Sequence, residues 1–505
     1  MQGLNINEFD AIVFYDKPLV KFERILSTFY QVAPKGIIPF LKYIPKWIKQ
    51  KLFIRKLIID NLKEIDDQLS KEKIKLLFSE HHLSHAASAF YPSNFKESAI
   101  LTIDAVGEWC TSSISFGKDK KIKIIRELNF PHSVGLLYSS FTYFLGFKVN
   151  SGEYKLMGLA PYGNLDSKET QNYIKKIKSE VVDIKKDGSI FMNQKYFKYT
   201  NSLKMIDENR FIKLFGFKRR KENDKIKQQH CNLALAIQKV TEDIIIRMAM
   251  EAKRLTKSNN LCLAGGVALN CVANGQIENL KLFKKIYIQP AAGDAGGSLG
   301  AALTINHMYF GSNRTYNSSY DLMNGTYLGP YFSDKEILIE TKKFKLKYDY
   351  YDSFENLTLK VAKLIADGKI IGWFQDRAEF GPRALGNRSI LADPRNLSMQ
   401  EKINSKIKFR EDFRPFAPSI LEEDYSIFFE GNILTPYMST VKNIKKQHRI
   451  EVPKDYDKFN YKNKLKTKKS ILPSITHVDY SSRIQTVSKK TNPKYWNLIN
   501  CFKSI

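Results

Sequence analysis

The sequence predicts an α/β protein built as two successive domains, and three observations carry that prediction. Twice, a short apolar strand feeds a glycine-rich turn that opens a helix, at 261–270 and at 286–300. A stretch from about Ser312 to Leu346, its first half rich in Asn, Ser, Gly and Tyr, separates two patterned regions, placing the domains at 1–330 and 346–505. With 505 residues, 43% of them hydrophobic, the chain can bury two or three cores.

Near the start, Pro39 and Pro45 are expected to break the chain before Lys46-Trp47-Ile48-Lys49-Gln50-Lys51-Leu52-Phe53-Ile54-Arg55. That basic amphipathic stretch reads as an ordinary helix with its apolar face on the core, a helix lying on a membrane surface being the alternative. A helix is predicted from His81 on its Ala-rich continuation. Ser98 to Asp104 is a strand ending in an acid, Gly107 turns, and Thr111 to Phe116 returns, which makes a hairpin with Asp104 at its mouth. Next come a helix from about Val134 to Leu145, a weakly patterned Lys-rich stretch to about Lys227, and a long helix near Asn232 to Leu255. Leu261 to Ala264 and Ile286 to Gln289 are short buried strands, each leading into its glycine turn. Past the linker the pattern restarts with a helix near Phe354 to Ala366 and a strand Ile370 to Phe374.

Composition narrows the function classes. No run of 18 apolar residues occurs and no signal-peptide pattern opens the chain, so neither a membrane span nor secretion is indicated. Five cysteines without Cys-x-x-Cys spacing argue against a disulfide framework or a zinc ribbon, and a reducing cytoplasm fits best. The formal charge of +29 would suit nucleic acid. Lysine far outnumbers arginine, however, and runs such as Lys118 to Lys123, Lys218 to Lys227 and Lys442 to Lys469 read as solvated surface, so the charge is taken as compositional bias and not as a nucleic-acid face. Anionic small molecules such as ATP remain compatible.

The chemistry concentrates in a few places. His81 and His85 are four apart in a predicted helix and project from one face, close enough for two imidazoles to hold one divalent ion. Three histidines fall within five residues of a chain that has only eight, and Asp104 follows, which favours a site over a helix that merely buries a histidine. The turns Gly265-Gly266-Val267-Ala268-Leu269-Asn270 and Gly293-Asp294-Ala295-Gly296-Gly297-Ser298 suit a nucleotide, because glycine lets the backbone approach phosphate and a helix N-terminus offers free N–H groups. In the second domain, Gln375 to Ser389 and Lys408 to Phe416 set many arginines in Gly and Pro turns, which are preformed forks for phosphate or carboxylate oxygens.

Taken in order, His81 to Phe90, Asp104 to Trp109, Gly152 to Gly163, the two glycine turns, Phe380 to Arg388 and Lys408 to Pro418 closely resemble the NodU/CmcH-type carbamoyltransferases over nearly the whole chain. The resemblance implies an actin-like, two-lobed (ASKHA) first domain followed by an α+β YrdC-like domain. It implies that carbamoyl phosphate and ATP give carbamoyl-adenylate in the second domain. The carbamoyl group would then pass, in the first, to a hydroxyl of a sugar or secondary metabolite.

Residue by residue, the resemblance makes His81, His85 and Asp294 ligands of a divalent metal, iron(II), with Mg2+ compatible alongside the nucleotide. Asp104 becomes a further ligand or the base that takes the acceptor's proton. Gly265, Gly266, Asn270, Gly293, Gly296 and Gly297 would line the nucleotide, while Arg383, Lys408 and Arg414 would bind carbamoyl phosphate and the adenylate phosphate. A small-molecule or glycan acceptor is the expected partner, and a homodimer is compatible. Three departures from the family pattern stand out. Its opening His-Asp-Ser-Ala-Ala-like element and Glu-Glu-Arg segment have no counterpart, so the first hairpin is expected to be missing. The Asn-Thr-Ser-Phe-Asn element after Asn492-Pro493 is also absent, and Ala105 stands where Gly follows the Asp. Two other readings stay open: a tRNA threonylcarbamoyl-transfer type of enzyme, which shares the histidine pair and distal Asp, and a non-catalytic family member.

Overall fold

The computed structural model describes residues 6–48, 52–66, 69, 75–317 and 319–505, and the chain divides into two compact units, Met1–Leu322 and Met323–Ile505. Both units mix helices with small sheets, so the molecule is of the mixed α/β class.

The first unit opens with strand β1 (Ile12–Phe14) and three helices, α1 (Pro18–Val32), α2 (Ile37–Trp47) and α3 (Ile54–Ile65). Strand β2 (Leu76–Phe78) then pairs in parallel with β1, with Ile12 opposite Leu76. Helix α4 (His81–Phe90) follows at once. Strands β3 (Glu97–Ile103), β4 (Cys110–Lys118) and β5 (Lys121–Asn129) form an antiparallel meander. After helix α5 (Val134–Phe144) and the long α6 (Gln228–Thr256), the chain returns as β6 (Asn260–Ala264), α7 (Cys271–Asn279), β7 (Lys285–Ile288) and α8 (Asp294–Thr304). Strand β6 joins β3 in parallel and β7 joins β6 in parallel, giving a mixed sheet in the order β5-β4-β3-β6-β7. Its central strand β3 is buried from Ser98 to Ile103, and both α4 and α6 pack on it.

Helices α4 and α8 make one of the densest contacts in the molecule. Gly300 permits it, since a Cβ there would fall 1.8 Å from the carbonyl oxygen of Ser84. This close crossing brings the histidines of α4 to the start of α8.

The second unit holds α9 (Phe354–Ala366), the antiparallel pair β8 (Ile371–Phe374) and β9 (Arg388–Leu391), α10 (Met399–Lys406), the parallel pair β10 (Ser419–Leu421) and β11 (Gln485–Val487), and α11 (Pro493–Lys503). Its core joins Val361 and Ile365 of α9, Trp373 of β8, Val487, and Tyr495 and Leu498 of α11.

Several expectations need correction. Pro39 and Pro45 do not break the chain: both lie inside α2, Pro39 in the first turn, where its missing N–H has no helical partner to lose, and Pro45 in the last. The helix expected from Lys46 to Arg55 has its central residues 49–51 outside the described residues; of its apolar side chains, Ile48 and Phe53 are exposed, while Trp47, Leu52 and Ile54 are half-buried. Lys118 to Lys123 is not merely solvated surface but the turn into β5, where Lys and Ile alternate and Ile122 is buried. Arg220, within the second Lys-rich run, is buried and donates to the carbonyls of Leu145, Glu222 and Asp224. Lys442, Lys464 and Lys469 in the third run are buried as well, and burial pushes the Lys469 ammonium down to about 8. The weakly patterned stretch before Lys227 contains helices Glu153–Leu159, Lys168–Lys176 and Glu208–Phe215 and a small hairpin. The second half of the expected linker contains the helix Asp334–Lys343, set by a reciprocal cap in which Ser333 and Glu336 bond each other's backbone N–H.

Candidate metal centre

Helix α4 starts at His81, as its short apolar strand and Ala-rich body favour, and its first turn carries the site. The carboxylate of Glu108, in the loop between β3 and β4, accepts from the backbone N–H of His81 at 3.2 and 3.1 Å and from that of Lys17 at 2.7 Å. It therefore satisfies an orphan donor of the helix and complements the positive end of its dipole. Gly107 is required beside it, since a Cβ would meet the His81 side chain at 2.9 Å.

Four side chains converge. Nε2 of His81 lies 3.1 Å from Nε2 of His85, 3.0 Å from Oδ2 of Asp104 and 3.7 Å from Oδ1 of Asp294. Nε2 of His85 lies 3.5 Å from Asp104 and 3.7 Å from Asp294. One ligand atom from each of the four falls within 4.8 Å of every other. Both histidines are buried, whereas the Asp294 side chain at the head of α8 is 59% exposed, so the cluster has a closed floor and one open side.

The surroundings fix this set. Nδ1 of His81 bonds Oδ1 of Asp16 at 2.7 Å, which leaves Nε2 as the atom aimed into the cluster. Burial alone would raise the Asp16 carboxyl and lower the His81 imidazole. Their hydrogen bond outweighs it, with Lys21 adding its charge on Asp16 and Asp104 a second bond on His81, so Asp16 is held at about 2 and His81 at about 10. Asp104 sits well below the carboxylate range: burial opposes this, but hydrogen bonds from His81 and His85 prevail. Its other oxygen accepts the backbone N–H of Gly266 at 3.1 Å. Tyr15 places its hydroxyl 3.5 Å from Oδ2 of Asp294, and burial first, then the Asp294 charge, pushes its phenol up. Two imidazole nitrogens 3.1 Å apart, with one oxygen from each of two carboxylates close by, form a nitrogen and oxygen donor set of the kind that holds a divalent metal, so the residues fit one.

Of the glycine-turn residues expected to line a nucleotide, Gly265 has φ of +88° and passes so close to the Ile103 carbonyl that only glycine fits, while the N–H of Gly266 is engaged by Asp104. Asn270 is buried and structural here: it caps α7 through the N–H of Ala273 and exchanges hydrogen bonds with Gln238. Gly293, Gly296 and Gly297 lie at the start of α8 beside Asp294, with Gly297 against the Tyr15 ring. The sequence reading missed Tyr15, Asp16 and Glu108. Glu108 lies inside the Asp104 to Trp109 motif.

In the second unit, Arg414 is half-buried, and burial, with repulsion from Arg383, lowers its guanidinium. Arg410 beside it is brought down to about 10 by burial and by Arg414, is held by Asn404 at 2.7 Å and stacks over Phe416. Lys408 is exposed in the turn after α10. The loop carrying Arg383 is pinned by Glu379, whose carboxylate accepts the N–H groups of Leu385, Asn387 and Arg388. Three arginines crowded together with Glu411 as their acidic neighbour leave excess positive charge, which suits an anion.

Family models decide the affiliation. The model for the carbamoyltransferase N-terminus matches residues 1–303, and that for the carbamoyltransferase C-terminus matches residues 362–505. The chain belongs to the carbamoyltransferase family. Among its relatives, an uncharacterised protein of Synechocystis is 46% identical over all of this chain and 81% of its own length. The nodulation protein NolNO of Sinorhizobium fredii is 32% identical over 99% of this chain and 66% of its own length. The 3'-hydroxymethylcephem-O-carbamoyltransferase of Streptomyces clavuligerus is 28% identical over 55% of this chain and 46% of its own length. This chain carries its four-residue cluster within the N-terminal match and its arginine cluster within the C-terminal one.

Proposed function

We propose that the chain is an O-carbamoyltransferase that makes carbamoyl-adenylate from carbamoyl phosphate and ATP and passes the carbamoyl group to a hydroxyl of a sugar or secondary metabolite. The convergence of His81, His85, Asp104 and Asp294 carries this reading, supported by a relative named for carbamoylating a hydroxymethyl group. The four residues hold a divalent ion, iron(II), which when bound supplies Lewis-acid polarisation to a carbonyl oxygen. Because its hydrogen bonds pull it well below the carboxylate range, Asp104 is a poor proton acceptor and a good ligand, so we place it among the ligands. Asp16 sets the His81 tautomer, Glu108 fixes the start of α4, and the exposed side of Asp294 is where an acceptor enters. In the transfer step the acceptor hydroxyl oxygen bonds to the carbamoyl carbon, the bond from that carbon to the AMP oxygen breaks, AMP leaves, and the hydroxyl proton passes to solvent through the open side of the cluster.

The first unit takes the actin-like role, with the turns at Gly265 and Gly293 around the nucleotide, and the second takes the YrdC-like role. Arg383, Arg414 and Lys408 there neutralise phosphate oxygens as the adenylate forms. ATP conversion to AMP that depends on carbamoyl phosphate tests the whole reading. The purified chain should show it, and His85→Ala should lose both bound metal and carbamoyl transfer. Nucleotide turnover driven by threonine and bicarbonate, or no turnover at all, would overturn it.

A further inference from the structure

Between Glu23 and Asp60 the sequence has no Asp or Glu and eight Lys or Arg. Acids occur about once in ten residues in the chain as a whole, 52 in 505, so this gap is local and is not the general lysine bias. The same segment exposes large apolar side chains. On α2, Ile37 is 60% exposed, Ile38 73% and Leu41 65%, and Phe53 just before α3 is 59% exposed. Tyr43, Ile48 and Leu57 are exposed too. Lys35, Lys42, Arg55 and Lys56 stand exposed among them.

The segment is nevertheless tied to its unit. Arg24 of α1 is buried and stacks over Phe130 at 4.9 Å, Phe29 of α1 meets Phe40 of α2 edge-on at 5.3 Å, and Gly36 at the start of α2 packs against Asn201. An anchored helix that presents Ile and Leu outward is unfavourable in water, and cations interleaved with apolar and aromatic side chains, with no acids, match one kind of surface.

We infer that α2 and the beginning of α3 dock this protein onto an anionic lipid bilayer. The helix lies in the plane of the interface, Ile37, Ile38, Leu41 and Phe53 enter the acyl boundary, Tyr43 sits at headgroup level, and Lys35, Lys42, Arg55 and Lys56 face the anionic headgroups. A soluble protein partner would favour a cation-depleted apolar centre, whereas here the cations stand beside the apolar residues, as snorkelling side chains do at a bilayer.

Co-sedimentation of the full chain with vesicles tests this. Binding to phosphatidylcholine vesicles containing phosphatidylglycerol, weak binding to pure phosphatidylcholine, and release by salt are expected. The triple variant Lys42→Gln, Arg55→Gln, Lys56→Gln should lose about fivefold in affinity per cation removed. Ile38→Glu with Leu41→Glu should lose roughly tenfold or more. All five positions are exposed, and the triple variant keeps the apolar face, so the inference stays testable if the glutamate variant folds poorly. Failure to bind the anionic vesicles, or equal binding to both vesicle types with no effect of the triple variant, overturns it. So does a concentration-dependent dimer that Leu41→Glu dissociates while vesicles are ignored. None of these readouts depends on carbamoyl transfer.

Discussion

Of the four residues of the cluster Asp16 bonds His81, and it thereby decides which His81 nitrogen points inward. Metal-ligating imidazoles lose affinity when such a partner is removed, typically by about 10- to 100-fold. Asp16→Asn should therefore lower divalent-metal affinity by about that factor, measured as stoichiometric metal after equilibrium dialysis, while the thermal midpoint changes little. His81 and His85 announce themselves, because helical spacing puts residues four apart on one face whatever the rest of the fold does. Asp294 stands out through its place in a glycine turn that opens a helix. Asp16 cannot be read that way, since it reaches His81 only because β1 pairs in parallel with β2, with Ile12 opposite Leu76, a long-range pairing that no local pattern encodes.

At the scale of elements, the centre depends on how closely α4 and α8 cross. Gly300 is the point of approach, and the Ser84 carbonyl lies where a methyl group would go. Gly300→Ala forces the helices apart, so it should cost about 2–3 kcal/mol of stability. Because α4 carries the histidines and α8 carries Asp294, bound metal should fall along with the urea midpoint. Retained metal with lost stability would show that the centre tolerates the shift. Helix α6 offers a pH test of a different kind. Nδ1 of His230 accepts the N–H of Lys227 at 3.0 Å, so the ring must be neutral to cap the helix. Burial, with Arg220 and Lys227 nearby, brings it down to about 4. The folded pKa is below the unfolded one, so this stability is complete above the unfolded value and is lost as pH falls toward the folded value, by on the order of 1–2 kcal/mol between pH 7 and pH 5. His230→Gln should shrink the difference in thermal midpoint between those two pH values. Strongly periodic elements such as α5, α6 and α9 were legible in the sequence to within a few residues. Strand β5 was not, because its alternating Lys and Ile looked like a solvated lysine run, although on a sheet edge that alternation buries one face and wets the other.

For the whole molecule, the two clusters occupy different units, and the proposed function gives each a different half of one reaction. In the proposed reaction water releases phosphate from carbamoyl phosphate, and the carbamate oxygen left attacks the α-phosphorus of ATP and displaces pyrophosphate; the charge that develops sits on phosphate oxygens, which is what Arg383, Arg410 and Arg414 can neutralise. Transfer, as proposed, develops charge on a carbamoyl oxygen, and the His81, His85, Asp104 and Asp294 cluster with a bound cation would stabilise it. Exchange of labelled pyrophosphate into ATP in the presence of carbamoyl phosphate reports the first half and needs no acceptor, so it can be measured before the acceptor is identified. Arg414→Ala removes a half-buried cation whose neighbours hold it in place, and it should lower the exchange rate by roughly 10²- to 10³-fold, as loss of a preorganised contact to developing charge does. His85→Ala should leave exchange within a few-fold of the unaltered protein while losing metal. If Arg414→Ala exchanges normally, the arginine cluster serves some other anion. If His85→Ala abolishes exchange, the two halves share one site and the division of labour between the units is wrong.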